Sequence, residues 1–212
     1  MAADARQERP LRISCKDLLG EAGPALDAKS QPATWTQFLD WAKRLTRTES
    51  AQVSRAGFEV PRPMATTNGE FFLTMLAQQG KGYFNPEGTK VAFDGPEGQR
   101  ALQLIVDMIN RDRIDAYDRP NPPNNVPAIA SPVVASQWVN SSAVSGAQRA
   151  GLDPAQHLVA FPTPDFTTTR RVAAYMGGTW QMIAKQTRDV DAAVELTLFL
   201  CGPDYSLQQA QL

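Results

Sequence analysis

Pro32-Ala-Thr-Trp-Thr-Gln-Phe-Leu-Asp-Trp-Ala-Lys-Arg-Leu-Thr46 is the stretch on which the reading of this chain turns. Trp35, Phe38, Leu39, Ala42 and Leu45 recur at three- and four-residue steps, the period of a helix with one apolar face. Thr34 stands where an N-cap belongs, and Gln37 follows at the capping-box distance. Asp40, Lys43 and Arg44 fill the opposite face. The spacing predicts an amphipathic helix over Thr34–Thr46 with Trp35 in the core. Trp41 lies off the stripe and is assigned to the surface or to a contact with another lobe.

The pattern continues outward on both sides. Residues 11–33 read as irregular, and residues 47–67 as a connection containing Gly57, Pro61 and Pro63. A second helix is predicted over Asn68–Gln79, with Phe71, Phe72, Met75 and Leu76 apolar and Gly80 and Gly82 stopping it. Tyr83–Gly88 reads as a turn and Lys90–Phe93 as a short strand. Pro96 suits the first turn of a third helix, where its missing N–H costs nothing, and that helix runs to about Arg111. Pro120, Pro122, Pro123 and Pro127 make residues 118–127 a stiff extended loop. Val133–Val139 and Leu158–Phe161 read as strands, and Arg171–Ile183 as strand, Gly-Gly turn, strand. Val190–Leu200 is a last helix, with Ala193, Leu196, Phe199 and Leu200 on one stripe and Gly202-Pro203 ending it. Helices alternating with short strands give an α/β or α+β class.

Composition narrows the function classes. The 212 residues are enough to bury a core without staples, and the net charge of -1 leaves no basic footprint for nucleic acid. No run of 18 or more apolar residues offers a membrane span. Cys15 and Cys201 lack partners at metal-ligand spacing; they are two free thiols or a pair. His157 is the only histidine, and no Gly-x-Ser-x-Gly elbow accompanies it, so it reads as a loop residue before a strand. Gly80-Lys-Gly82 lacks the third glycine of a dinucleotide fingerprint, and no P-loop is present. Asp112, Asp115 and Asp118 recur every third residue without EF-hand spacing, so they read as solvated charges at a helix end. Nothing here proposes covalent or acid–base chemistry, and no cofactor is implied.

Several segments, taken in order, resemble the extracellular solute-binding proteins that feed sugar ABC transporters. Lys16-Asp-Leu-Leu-Gly-Glu-Ala-Gly23 is similar to the family's "KDLFEEAG", and Pro32–Thr46 to its "P-x-TW-x-x-F" helix ending "A-K-x-L-T". Phe72–Gly82 with Asn85–Phe93 is similar to "L-x-x-x-G-G" followed by "D-x-x-G-x-x-V-x-F". Gly98–Ile109 resembles the next helix, Leu158–Pro164 the "V-x-P-x-P" segment, and Gly177–Leu200 the "G-G" stretch with its following helix. Ser14 and Cys15 stand where the family has Tyr-Asn, and Ala128–Val134 replaces its "F-x-x-G-x-A-M" helix.

The resemblance implies an α/β, periplasmic-binding-protein-like (type II) lobe, incomplete, with a mixed sheet flanked by helices. It implies that residues 1–33 are the crossing segment from a missing N-terminal lobe. Residues 34–212 are then the second, C-terminal lobe, truncated at its own C-terminus. The function implied is non-catalytic binding of a sugar or oligosaccharide, or a similar polar solute, for delivery to ABC transporter permease subunits. Neither nucleic acid nor a membrane span is involved. The intact family works in the periplasm or outside the cell, often as a lipoprotein; this chain shows no signal peptide of its own. A sugar needs an aromatic wall for its C–H face and polar groups for its hydroxyls. The residues proposed for this are Trp138, Tyr175, Gly177, Gly178, Thr179 and Trp180. Trp138 faces either the cleft or the core, and the Gly177–Trp180 loop either meets ligand or is a packed turn. Asn68, Glu70 and Phe72 are poorer candidates. Half a cleft supplies half the contacts, so weak binding by this chain alone is expected. A truncated lobe serving as a protein-interaction module, and an α/β hydrolase-like enzyme, are the alternatives.

Overall fold

The computed structural model describes residues 11–15, 18, 31–61, 66–122, 127–139, 142–167, 182–205 and 207. The chain divides into two compact units, one up to Met176 and one from Gly177 onward. Leu11–Cys15, read above as irregular, is the central strand β1 of the first unit's sheet, hydrogen-bonded on both edges.

Along the first unit the elements are α1 (Trp35–Leu45), β2 (Arg47–Glu49), β3 (Gln52–Arg55), α2 (Thr66–Gln78) and α3 (Pro96–Asn110). A 3-10 turn at Ala128–Ala130, β4 (Ser136–Val139), α4 (Ser142–Arg149), α5 (Pro154–His157) and β5 (Leu158–Phe161) complete it. The sheet runs β4-β1-β5, with β1 antiparallel to both neighbours: Arg12 faces Trp138 on one side and Phe161 on the other. Residues 56–59 extend the β4 edge in parallel, through the pairs Ala56–Val134 and Glu59–Gln137. The sheet is therefore mixed, as expected.

α1 begins with the capping box read from Thr34 and Gln37. Its buried face is wider than the stripe. Trp35, Phe38, Leu39, Trp41, Ala42 and Leu45 are all buried, an arc of roughly 160° at 100° per residue. Trp41 is 5% exposed and packs on Phe38, so its assignment to the surface is corrected. Phe38, Phe58 and Phe71 are fully enclosed, and burying each is worth about 1.5–3 kcal/mol. Edge-on ring pairs link Trp35 to Phe38 and Phe71, and Phe38 to Phe58 at 5.0 Å. Trp35 Nε1 donates to Gln78 Oε1 at 2.9 Å, and Gln78 Nε2 donates to the Pro164 carbonyl at 2.7 Å. One buried amide thus ties α1, α2 and the exit of β5 together.

Successive residues of a strand point to opposite faces. Trp138 accordingly joins the main core, while Val139 joins a smaller cluster with Ile129, Ala147 and Leu158 on the other face.

Several sequence expectations change in detail. Residues 90–93 form no strand; only the isolated pair Phe84–Val91 is present. The connection at 47–67 contains a hairpin, β2–β3, whose two loop residues Ser50 and Ala51 both have positive φ (48° and 66°). Type I′ turns normally take Asn-Gly or Gly-Gly, so Ser-Ala gave no signal. His157 ends the short helix α5 rather than lying in a loop. In the second unit, α6 (Val190–Leu200) has Asp189 as N-cap, and its expected stripe is not enclosed: no residue of the helix is buried. Phe199 packs on Tyr205, and Cys201 is an exposed free thiol.

Candidate functional site

Of the six proposed site residues, Trp138 lies among the described residues. It sits on β4 and is 4% exposed, with its ring 5.4 Å from that of Phe71 in α2. Its Nε1–H is buried and has no hydrogen-bond partner. Tyr175, Gly177, Gly178, Thr179 and Trp180 lie outside the described residues. The boundary between the two compact units falls inside this stretch, between Met176 and Gly177. Asn140 and Ser141, next to Trp138, also lie outside the described residues. Among the poorer candidates, Glu70 is half-buried, and Phe72 packs against Tyr83 and Phe93 instead of standing free.

Beside Trp138 the structure assembles a polar network that sequence reading missed. Arg119, 2% exposed at its side chain, donates from Nε to Asp115 Oδ1 at 2.8 Å and from Nη2 to Glu59 Oε1 at 2.9 Å. The other oxygen of Glu59 accepts from Gln137 Nε2, the residue before Trp138. Asp115 also accepts from the backbone N–H groups of Val60 (3.1 Å) and Ala116 (2.8 Å). Asp115 is 1% exposed, so reading Asp112, Asp115 and Asp118 together as solvated is corrected for this residue. It turns inward because the chain after α3 folds back on the 56–60 edge, where Gly57 N–H donates to the Ile114 carbonyl. The donors and acceptors of this network are paired with one another, so its chemistry is positional: it pins the 112–120 loop to the sheet edge that carries Gln137 and Trp138. No periodicity could have shown it, because Glu59, Asp115, Arg119 and Gln137 come from three separate segments.

Asp112 also has partners. Its carboxyl is held below the ordinary aspartate range, chiefly by a hydrogen bond from Arg111; burial opposes this as the next largest effect, and Lys43 at 2.9 Å lowers it further. Asp118 alone of the three is exposed. Among the described residues no group of three or more His, Cys, Asp or Glu side chains could hold a metal ion. Nor is any helix among them long and apolar enough to cross a membrane.

A mixed sheet with helices packed on both faces, as in the first unit, is the architecture of a periplasmic-binding-protein-like lobe. Residues 15–205 match the family described as bacterial extracellular solute-binding protein, and this chain belongs to that family. No curated protein matches the chain significantly. Among solved structures, it is similar to an ABC transporter solute-binding protein from Thermotoga lettingae TMO bound with α-D-tagatose. The TM-score there is 0.77 at 20% identity, covering 97% of this chain and 52% of that one. Maltose-bound MalE3 of T. maritima gives 0.69 at 23% identity, over 96% and 52%. UgpB of Mycobacterium tuberculosis, in complex with glycerophosphocholine, gives 0.68 at 18%, over 96% and 49%. The chain thus spans about half the length of these structures, and identities this low establish the fold.

Proposed function

We propose that this chain provides part of a non-catalytic binding protein for a sugar or a similar polyhydroxylated solute, delivered to an ABC transporter permease. The observation that carries the reading is the family match over residues 15–205, joined to a fold shared with proteins bound to tagatose and maltose. The ligand class follows from what those proteins hold: compact polar molecules rich in hydroxyl groups. The proposed contact set is Trp138, Tyr175, Gly177, Gly178, Thr179 and Trp180. Glycines let the backbone approach a ligand, and the aromatic rings cover the C–H face of a sugar. The unpartnered Nε1–H of Trp138 supports a hydrogen-bonding role for that residue, even though its ring is packed in the core. Work in the periplasm or at the outer surface of the cytoplasmic membrane goes with this reading.

The test is solute binding by saturation-transfer NMR with tagatose, maltose and mannitol. At least one should show transfer that is lost, with affinity falling more than about tenfold or 1.4 kcal/mol, in Trp180→Ala while the circular dichroism and melting curve stay unchanged. Equal signals from Trp180→Ala would remove that residue from the site, and no transfer from any polyol would sink the reading.

A second reading, an interaction module, is favoured by one observation. α6 leaves Val190, Leu196, Leu198 and Phe199 more than half exposed, an exposed apolar surface of the kind that marks an interaction site.

A further inference from the structure

Met75, Met108 and Met182 share one side chain and stand in opposite surroundings. Met75 follows Phe71 by one helical turn on α2, and Met108 follows Ile105 and Ala101 along one face of α3, so both thioethers lie in the main core. Both are fully enclosed. Met182 is 89% exposed, the highest value for a large apolar side chain among the described residues. It belongs to the second unit and lies in irregular backbone leading into a turn, which the Thr187 N–H closes on the Ala184 carbonyl. Ile183, Ala184, Lys185 and Gln186 beside it are exposed as well.

A thioether sulfur carries a lone pair that attacks the weak O–O bond of a hydroperoxide. One oxygen moves to Sδ, the O–O bond breaks, and the proton on the transferred oxygen passes to the departing one. Sulfur is oxidised to the sulfoxide, and hydrogen peroxide is reduced to water. The reaction requires oxidant and sulfur to touch. Met182 meets that condition in the folded chain. Met75 and Met108 meet it only when the first unit opens, and the free energy of that opening lowers their rate. The consequences differ too. A sulfoxide in the core would bury a polar oxygen among Phe71, Ala101 and Ile105, whereas at Met182 the oxygen is solvated by water. The family to which this chain belongs is extracellular, on the oxidising side of the membrane.

We infer that Met182 is a site of reversible oxidation by hydroperoxides, taking up one oxygen at sulfur while Met75 and Met108 are spared. This inference stands apart from the solute-binding reading: no solute enters its chemistry, and Met182 is outside the proposed contact set.

The test treats the whole chain with hydrogen peroxide, once without denaturant and once in urea. Mass spectrometry follows the sulfoxide at Met75, Met108 and Met182, with peptide fragmentation assigning each oxygen to its residue. In the folded chain Met182 should be oxidised more than about tenfold faster than either core methionine, a factor that an opening free energy of about 1.4 kcal/mol already supplies. In urea the three rates should converge, because burial and not local sequence sets the difference. Methionine sulfoxide reductases A and B, one for each sulfur epimer, should then return Met182 to the thioether. Oxidation of Met182 no faster than that of Met75 and Met108 in the folded chain overturns the inference. So does a rate difference that persists in urea, or a Met182 sulfoxide that the reductases leave in place.

Discussion

Replacing Arg119 with Met keeps most of the side chain's volume and removes its charge, which makes it a clean probe of the buried network. In the wild type the guanidinium makes two charge-assisted bonds, to Asp115 at 2.8 Å and to Glu59 at 2.9 Å, with side-chain exposures of 2%, 1% and 17% for the three residues. Bonds to charged groups are worth about 1.5–3 kcal/mol each, so about 3–6 kcal/mol is at stake. Removing one partner of a buried ion pair costs about 3–5 kcal/mol, because the remaining charge is left without compensation. The two estimates agree. Here two carboxylates are left facing each other across the space of one cation. Val60 N–H and Ala116 N–H still solvate Asp115, and Gln137 still serves Glu59, so the cost sits inside that range rather than above it.

The assay is urea unfolding followed by tryptophan fluorescence, to which Trp35, Trp41 and Trp138 of the first unit contribute. With a slope of about 2 kcal/mol/M, Arg119→Met should lower the midpoint by about 2 M. The triple variant Glu59→Gln/Asp115→Asn/Arg119→Met removes the stranded charges and should recover most of that loss, to within about 1–2 kcal/mol of the wild type. A loss below about 1 kcal/mol in Arg119→Met, or a triple variant no more stable than the single one, would refute the argument that uncompensated charge sets the cost.

Gly57→Ala should destabilise by about 3 kcal/mol or more, because the added Cβ would sit 1.9 Å from the Ala42 carbonyl oxygen and force the sheet edge off α1. Gly69→Ala is the contrast: it lies within α2 with the nearest atom, the Tyr83 hydroxyl, 3.4 Å away, so thermal melts should show a gain of about 0.5–1 kcal/mol. Asp112 titrates below its ordinary value in the folded state, chiefly through its bond from Arg111. Its stabilising contribution is therefore complete above about pH 4 and lost as pH falls through the lower folded value. The Tm difference between wild type and Asp112→Asn should be constant from neutral pH down to that point and then close; a difference independent of pH would contradict the linkage.

How much was legible in the sequence depended on whether the signal was local. α1, α3 and β5 were readable because one apolar stripe, a capping pair or a proline at the helix start lies within a few residues of each. β1 was not, because a strand buried on both edges is recognised by its partners, and those are at 136–139 and 158–161. Trp41 was misplaced for a related reason: a helix enclosed on a wide arc does not announce it in a narrow stripe. The Arg119 network was invisible, since its four side chains converge only after the loop behind α3 folds back. The family resemblance supplied what periodicity could not, the order of segments over nearly the whole chain, and the match over residues 15–205 agrees with it.

The geometry around β4 connects these observations. Gln137 and Trp138 are adjacent, so one points to each face of the sheet. Gln137 is fixed through Glu59 to Arg119 on one face, and Trp138 is fixed by Phe71 on the other. β4 is thus clamped from both sides just before the Asn140-Ser141 step, and an indole donor without a partner is held at that point. Holding such a donor rigid is the condition under which it favours one ligand orientation, because the entropy of ordering it has been met by the fold and not by the ligand. On the contact set proposed above, weakening the clamp, as in Arg119→Met, should loosen solute binding in the saturation-transfer measurement even though Arg119 and Glu59 lie outside that set.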